Sequence, residues 1–393
     1  YVSSSNSRQI FKIDTSGNQT TYAGTGGWEN GVPPSTGTPA SLAIFREIKS
    51  MAIDTSGTDD ILYLVDQRLI KKINLTTNLV YYITGTNQTW QNSFTNGEFD
   101  EAYFGNIEDI TVSNDGASLY VLDQNAIRKI TDLAGDGSVT TISGQWDWDY
   151  RDGTLSQARF EGPQGIDMDT NGNLWVRQYG KLRKVDLSAD SVTTVLSNMP
   201  WGSGDLTIDS SNTIYFADRN EARLYEYSIT NGDLYTLIDS SNDRGTVDGI
   251  TKDAKIERPT QLLATATALY FTQRLNGSNG GLRKIDFINK LRIPAGQSSG
   301  TFTLSIIDDG VYETAETINV KVTAAENIQF DSSNVVEYSL ADNDTAPKVS
   351  LVSSSDIIAE EGGKAILTFQ LGDASESGGK LDMSPGLKSS YIY

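Results

Sequence analysis

The residues able to do chemistry in this 393-residue chain are set first by two absences, since it contains no histidine and no cysteine. Imidazole acid–base catalysis, Ser-His-Asp triads and His- or Cys-ligated zinc are therefore excluded, as are disulfides and thiolate nucleophiles. What remains is carboxylate, lysine, tyrosine, or a metal held by oxygen ligands. A second set with chemical potential is aromatic. Trp28, Trp90, Trp146, Trp148 and Trp201 all fall in the loops between recurring strand groups, and loop aromatics on one face suit contact with carbohydrate or protein. The alternative is that they pack over the fold as loop anchors.

Charge narrows the partners. The chain has 51 acidic and 31 basic residues, a net charge of −20. Nucleic-acid binding rests on neutralising phosphates, so this balance argues against it and against an anionic membrane surface. A saline or calcium-rich extracellular setting would relieve the self-repulsion. No run of about 18 apolar residues is present, so no membrane-spanning segment is expected. The lack of cysteine in an exported chain of this size favours a bacterial source. No leader-like run precedes Tyr1, as in a mature or truncated chain.

The elements that must position these residues recur. A basic-apolar phrase runs Arg8-Gln-Ile-Phe-Lys-Ile-Asp14, Arg68-Leu-Ile-Lys-Lys-Ile-Asn74, Ala126-Ile-Arg-Lys-Ile-Thr131, Lys181-Leu-Arg-Lys-Val-Asp186, Ala222-Arg-Leu-Tyr-Glu-Tyr-Ser228 and Gly281-Leu-Arg-Lys-Ile-Asp286. Successive copies lie 60, 57, 55, 42 and 58 residues apart, counted at Ile13, Ile73, Ile130, Val185, Tyr227 and Ile285. The fourth copy shows the whole period: Asp152-Gly153, Ala158-Arg-Phe160, Pro163-Gln-Gly165-Ile-Asp-Met-Asp169, Asn171-Gly-Asn173-Leu-Trp-Val176, the phrase itself, and Val192-Thr-Thr-Val195. Short apolar runs bounded by Gly, Asn and Asp turns, about fifty residues per period, describe one four-stranded propeller blade. The Arg-Lys pairs are expected to be exposed strand residues pairing with neighbouring blades, with a ligand-binding ring as the alternative. Asp54, Asp169 and Asp209, closing first strands, are expected to hold turn amides rather than a metal.

This pattern resembles the NHL repeat, over about three quarters of the chain. The resemblance implies an all-β fold with about six blades over residues 1–286, the first lacking its innermost strand and the sixth ending after its third. Related propellers include hydrolases and lyases with a metal in the central channel. The nearest residues for such a site are Glu108, Asp109, Asp167 and Asp205, although their spacing is not repeated faithfully.

After Asp286 the Arg-Lys phrases cease and two-residue alternation begins, as in Ile293-Pro-Ala-Gly-Gln-Ser-Ser-Gly-Thr-Phe-Thr-Leu-Ser-Ile306. Alternating strands joined by short acidic loops indicate an antiparallel β-sandwich. These residues resemble the Calx-beta motif, in an incomplete copy over 287–346 and the start of a second over 347–393. The resemblance implies Ca2+ held by loop carboxylates, here Asp308, Asp309, Glu313, Asp342 and Asp344, with Glu360 or Glu361 serving the second copy. Oxygen ligands alone suit calcium. Half sandwiches would leave open strand edges, so either segments of a longer protein are absent or strands come from a neighbour, which would build a fibre.

The expected function is non-enzymatic. A propeller binding head on calcium-stiffened sandwich repeats would act outside the cell or at its surface, in adhesion or filament assembly. It would bind protein or carbohydrate at the propeller face and self-assemble through sandwich strands. A propeller hydrolase or lyase with a channel metal, and a calcium-independent protein-interaction scaffold, are the alternatives.

Overall fold

Short runs rich in Ile, Leu, Val and Tyr, each closed by a Gly, Asn or Asp turn, form six antiparallel sheets in chain order. The computed structural model describes residues 1–27, 37–86, 94–133, 135–199, 202, 204–248, 254–274 and 280–286, together with the backbone of the later strands named below. The fold of the first compact unit, Tyr1–Ile285, is a six-bladed β-propeller. Blades 2 to 5 each contain a four-stranded meander, as in blade 3 with Ile107–Val112, Ser118–Asp123, Ala126–Thr131 and Ser138–Gly144, and blades 2 and 3 add a two-residue fifth strand, Thr38–Pro39 and Gly97–Glu98, beside the fourth. Blade 1 has three strands, Val2–Ser4, Gln9–Ile13 and Gln19–Ala23, and blade 6 has Pro259–Ala264, Ala268–Arg274 and Gly280–Asp286. Among the described residues, helix is confined to one 3-10 turn at Ala40–Leu42.

The core lies between blades. Tyr63, Val65 and Ile70 of blade 2 pack against Ile110, Val121 and Ile130 of blade 3. Tyr120 and Leu122 of blade 3 pack in turn against Ile166, Val176 and Val185 of blade 4. Second strands are covered on both faces, which is why Ser118–Asp123 is buried throughout instead of alternating.

The third strands depart from expectation. The first cation of each pair is not an exposed residue: Lys71, Arg128 and Arg183 are all buried, while Lys72, Lys129 and Lys184 are partly exposed. Lys72 does reach a neighbouring blade, donating to the Leu133 carbonyl at 2.5 Å. The buried cations face the long connection that arrives from the preceding blade. Arg128 Nη2 donates to the Thr95 carbonyl (2.8 Å) and Asn96 Oδ1 (3.0 Å). Arg183 Nη2 makes the same pair of bonds to the Arg151 carbonyl and Asp152 Oδ1, both at 2.8 Å. Arg283 repeats it at Val247 (2.8 Å) and Asp248 (2.5 Å). The aromatic of the Ala-x-Phe element lies under the charge, with Arg128 4.7 Å from the Phe94 ring centre and 5.3 Å from Phe104, and Arg183 4.6 Å from Phe160. Asp-Gly, Ala-x-Phe and Arg recur together in blade 4 because the Arg183 guanidinium touches the other two.

The second unit, Asp286–Tyr393, contains two sheets. One has the order Lys290–Ile293, Gly379–Gly386, Glu316–Glu326, Val335–Ala341, Ile358–Ala359; the other pairs Ser299–Ser305 with Lys364–Gln370. Strands from 347–393 thus interleave with strands from 287–346 in shared sheets, Gly379–Gly386 lying between two strands of the earlier stretch.

Breaking a buried pair on one side only should be severe. Asp123 and Arg128 pair at 3.0 Å with neither side chain exposed. Burial nonetheless raises Asp123 to about 6 and lowers Arg128, so desolvation outweighs their attraction. Arg128→Met should cost about 3–5 kcal/mol in denaturant unfolding, and adding Asp123→Leu should recover part of the loss. A loss under about 1 kcal/mol, the range of an exposed ion pair, would contradict this account of the clamp.

Candidate functional site

The first strands of blades 2, 3, 4 and 6 begin with a bulge, which inserts extra residues and re-aims a side chain. In blade 3 the register shifts between Ile107 and Asp109, leaving Glu108 as the extra residue; in blade 4 the shift between Pro163 and Gly165 leaves Gln164. Both side chains face a cavity of about 300 Å³ between blades 3 and 4. Its other walls come from the turns between second and third strands (Gln124, Asn125, Tyr179) and from the connection carrying Trp146 and Trp148. Among the described residues, no Lys or Arg lines it.

Two glycines let the aromatic walls lie against backbone. A Cβ on Gly105 would stand 3.1 Å from the Trp146 ring, and one on Gly162 (φ +54°) would stand 2.3 Å from Tyr179. Asn125, itself buried, braces the Trp-bearing segment: its Nδ2 donates to the Asp147 carbonyl at 3.1 Å, and its Oδ1 accepts from the Gly162 amide at 3.3 Å. Further along the same connection, Arg183 holds Arg151 and Asp152 as described above. Trp148 is left 70% exposed and Trp146 39% exposed, the former without a described ring partner and the latter tilted on Phe94 at 6.1 Å. Two large aromatics held open by a braced loop are a ready contact surface.

Glu108 is half-buried, and burial raises its pKa against the opposing effects of Lys49 and its hydrogen bond from Asn106. The Lys49 ammonium is itself occupied by Asn106 Oδ1 (2.6 Å) and the Ile107 carbonyl (3.4 Å). Gln164 accepts from the Gly204 amide at 3.1 Å, which leaves its NH2 as the donor on offer.

The other acidic residues near the axis have structural duties. Asp109 accepts from Ser50 Oγ (2.6 Å) and from the Ile166 amide of blade 4 (2.8 Å). Asp167 accepts from the Ile208 amide of blade 5 (2.8 Å), and Asp205 from the Leu262 amide of blade 6 (3.0 Å). Each carboxylate bonds the next blade's first strand. Asp109 and Asp205 also interact directly, and in a dry site two such groups cannot both ionise. Among the described residues, no group of three or more His, Cys, Asp or Glu is placed to hold a metal. Glu108, Asp109, Asp167 and Asp205 form no such group. Asp54, Asp169 and Asp209 accept amides within their own turns, from Ser56, Asn171 and Ser211, all at 2.9 Å.

Of the loop tryptophans, the structure brings Trp146 and Trp148 together with Glu108. Trp28, Trp90 and Trp201 lie outside the described residues. So do Asp308, Asp309, Glu313, Asp342, Asp344, Glu360 and Glu361. The residues that sequence reasoning missed at this cavity are Gln164, Tyr179 and the brace Asn125.

No family model and no curated protein matches the chain. Solved structures do. An auxiliary nutrient binding protein from Bacteroides ovatus aligns with a TM-score of 0.50 at 16% identity, over 70% of this chain and 70% of that one. A second, from Bacteroides thetaiotaomicron, gives 0.46 at 14% identity, over 62% and 56%. A catalytically inactive virginiamycin B lyase from Staphylococcus aureus with quinupristin gives 0.42 at 14% identity, over 72% and 78%. At such identities the likeness shows the fold alone. The class defined is an all-β six-bladed propeller with a braced aromatic cavity on the face that carries its inter-blade connections. Among the described residues, no helix is long and apolar enough to cross a membrane.

The buried acids set a pH signature. Burial raises Asp109 from 3.8 to about 7, and raises Asp205 and Asp167 as well. Between these limits the folded state keeps protons that the unfolded chain has released, so stability falls as pH rises from about 4 to about 7. Asp123 adds to this slope, and no histidine titrates in the window. Unfolding midpoints measured across pH 4–8 should decline, and Asp205→Asn should flatten the decline. A rise over that range would contradict the buried pair.

Proposed function

We propose that this protein is a non-enzymatic binding protein acting outside the cell, with the propeller as its binding head and carbohydrate as the ligand of the Trp146–Trp148 cavity. One observation carries the reading: two exposed tryptophans and Tyr179 are held by backbone braces around amide and carboxylate groups, with no base among them. Aromatic faces suit the apolar faces of sugar rings, and side-chain amides supply donor and acceptor together for hydroxyls. The nutrient-binding description of the Bacteroides ovatus propeller is in keeping with a binding role. A non-enzymatic reading is supported by the missing histidine and cysteine and by axial carboxylates committed to backbone amides. In this reading the second unit gives calcium-stiffened support, through Asp308, Asp309, Glu313, Asp342, Asp344, Glu360 and Glu361, for adhesion or filament assembly at the surface.

The head is tested by titrating neutral oligosaccharides against intrinsic tryptophan emission and by calorimetry. Trp148→Ala should weaken binding by about 1–2 kcal/mol while leaving the unfolding midpoint unchanged, because the side chain is exposed. Unaltered affinity would remove this cavity as the site. The calcium part is tested by thermal unfolding from chelator to millimolar Ca2+, with Mg2+ as control. Two transitions are expected, only one rising selectively with calcium; a flat response would discard calcium and leave a propeller with an acidic tail.

A further inference from the structure

Two polar groups reach the cavity from neighbouring blades for the same structural reason. Glu108 and Gln164 are the bulged residues of consecutive first strands, so each is the side chain its blade turns out of the ladder onto this face. Their available functions are complementary. Glu108 can only accept hydrogen bonds when ionised, whereas Gln164, its oxygen taken by the Gly204 amide, offers its NH2. Asn125 is buried and already spends one donor and one acceptor on the brace, so its orientation is set by the loop. The ligand-facing pair is thus one acceptor and one donor, set between aromatic walls.

We propose, resting on the carbohydrate reading above, that the cavity selects uncharged saccharides and that Glu108 is the residue that sets this selectivity. Glu108 accepts from a ring hydroxyl and Gln164 donates to another, while the Trp146 and Trp148 faces cover the ring. A sugar carboxylate in that place meets a fixed negative charge in a site that lines no base. Lys49, whose charge partly offsets that of Glu108, is bonded to Asn106 and the Ile107 carbonyl and is not among the lining residues. The surrounding chain is strongly acidic as well, at −20 overall. Discrimination here comes from repulsion of the wrong ligand as much as from contacts with the right one. The half-burial of Glu108 strengthens that repulsion by limiting solvent screening.

The test uses the full chain and neutral glucan, galactan and mannan hexasaccharides, each set against the uronate hexamer of the same sugar. Wild-type protein should bind at least one neutral hexamer about tenfold or more tightly than its uronate. Glu108→Gln keeps the shape and a hydrogen-bonding oxygen but removes the charge. It should close the gap chiefly by raising uronate affinity, with the unfolding midpoint unchanged. Equal wild-type affinity for both members of the pair, or a gap that Glu108→Gln leaves intact, overturns the selectivity while the carbohydrate reading stands. Silence towards every hexamer overturns both.

Discussion

A cation on the third strand of blades 2, 3, 4 and 6, gripping the connection that enters from the preceding blade, is the interaction on which much of this propeller depends. A lone guanidinium in an apolar interior costs several kcal/mol unless its donors are matched. Here the Nη donors are matched by loop carbonyls, an Asn or Asp side chain and, in blade 3, Asp123, while the Nε of Arg128 and Arg183 stays buried without a partner. Because the donors form a rigid planar fork, they fix the loop's path as well as its presence. Lys71 performs a reduced version in blade 2, bonding Asp66 at 2.6 Å and the Ile44 carbonyl at 3.1 Å. The penalty for an unmatched charge makes the whole period cooperative: lose the loop and the cation is stranded.

The same clamp shapes the functional face. The connection entering blade 4 is held by Arg183 at Arg151 and Asp152, and by Asn125 at Asp147. Between and beside those anchors stand Trp146 and Trp148. A loop tied at several backbone points can present large aromatics to solvent without collapsing onto them, and binding then loses less conformational freedom. Inner-strand carboxylates complete the scaffold by crossing from blade to blade, Asp109 to Ile166, Asp167 to Ile208 and Asp205 to Leu262. Their oxygens tie the first strands of successive blades to one another.

The blades were legible in the sequence because strand length, turn residues and the Arg-Lys phrase all repeat with one period. The fate of the phrase was not. A basic residue on a strand reads as exposed unless its buried acceptors are known, and for Arg128 and Arg183 half of these are backbone carbonyls, which leave no side-chain signature. The cavity was half visible. Trp146 and Trp148 stood out as loop aromatics, and Glu108 stood out only as an acid near a first strand. Gln164 gave no signal, since a bulge is a register shift that neither Gly-rich composition nor alternation marks. Asp109 and Asp205, nearly a hundred residues apart, meet only because the ring brings blades 3 and 5 to one axis.

The central claim is that the face between blades 3 and 4 is the ligand site of the propeller. A crystal structure of the protein soaked with a neutral hexasaccharide tests it most directly. The account predicts sugar density covered by Trp146 and Trp148, with hydroxyls within hydrogen-bond distance of Glu108 and Gln164. Density seated on the propeller axis against Asp109 and Asp205, with the Trp146–Trp148 cavity empty, would contradict it.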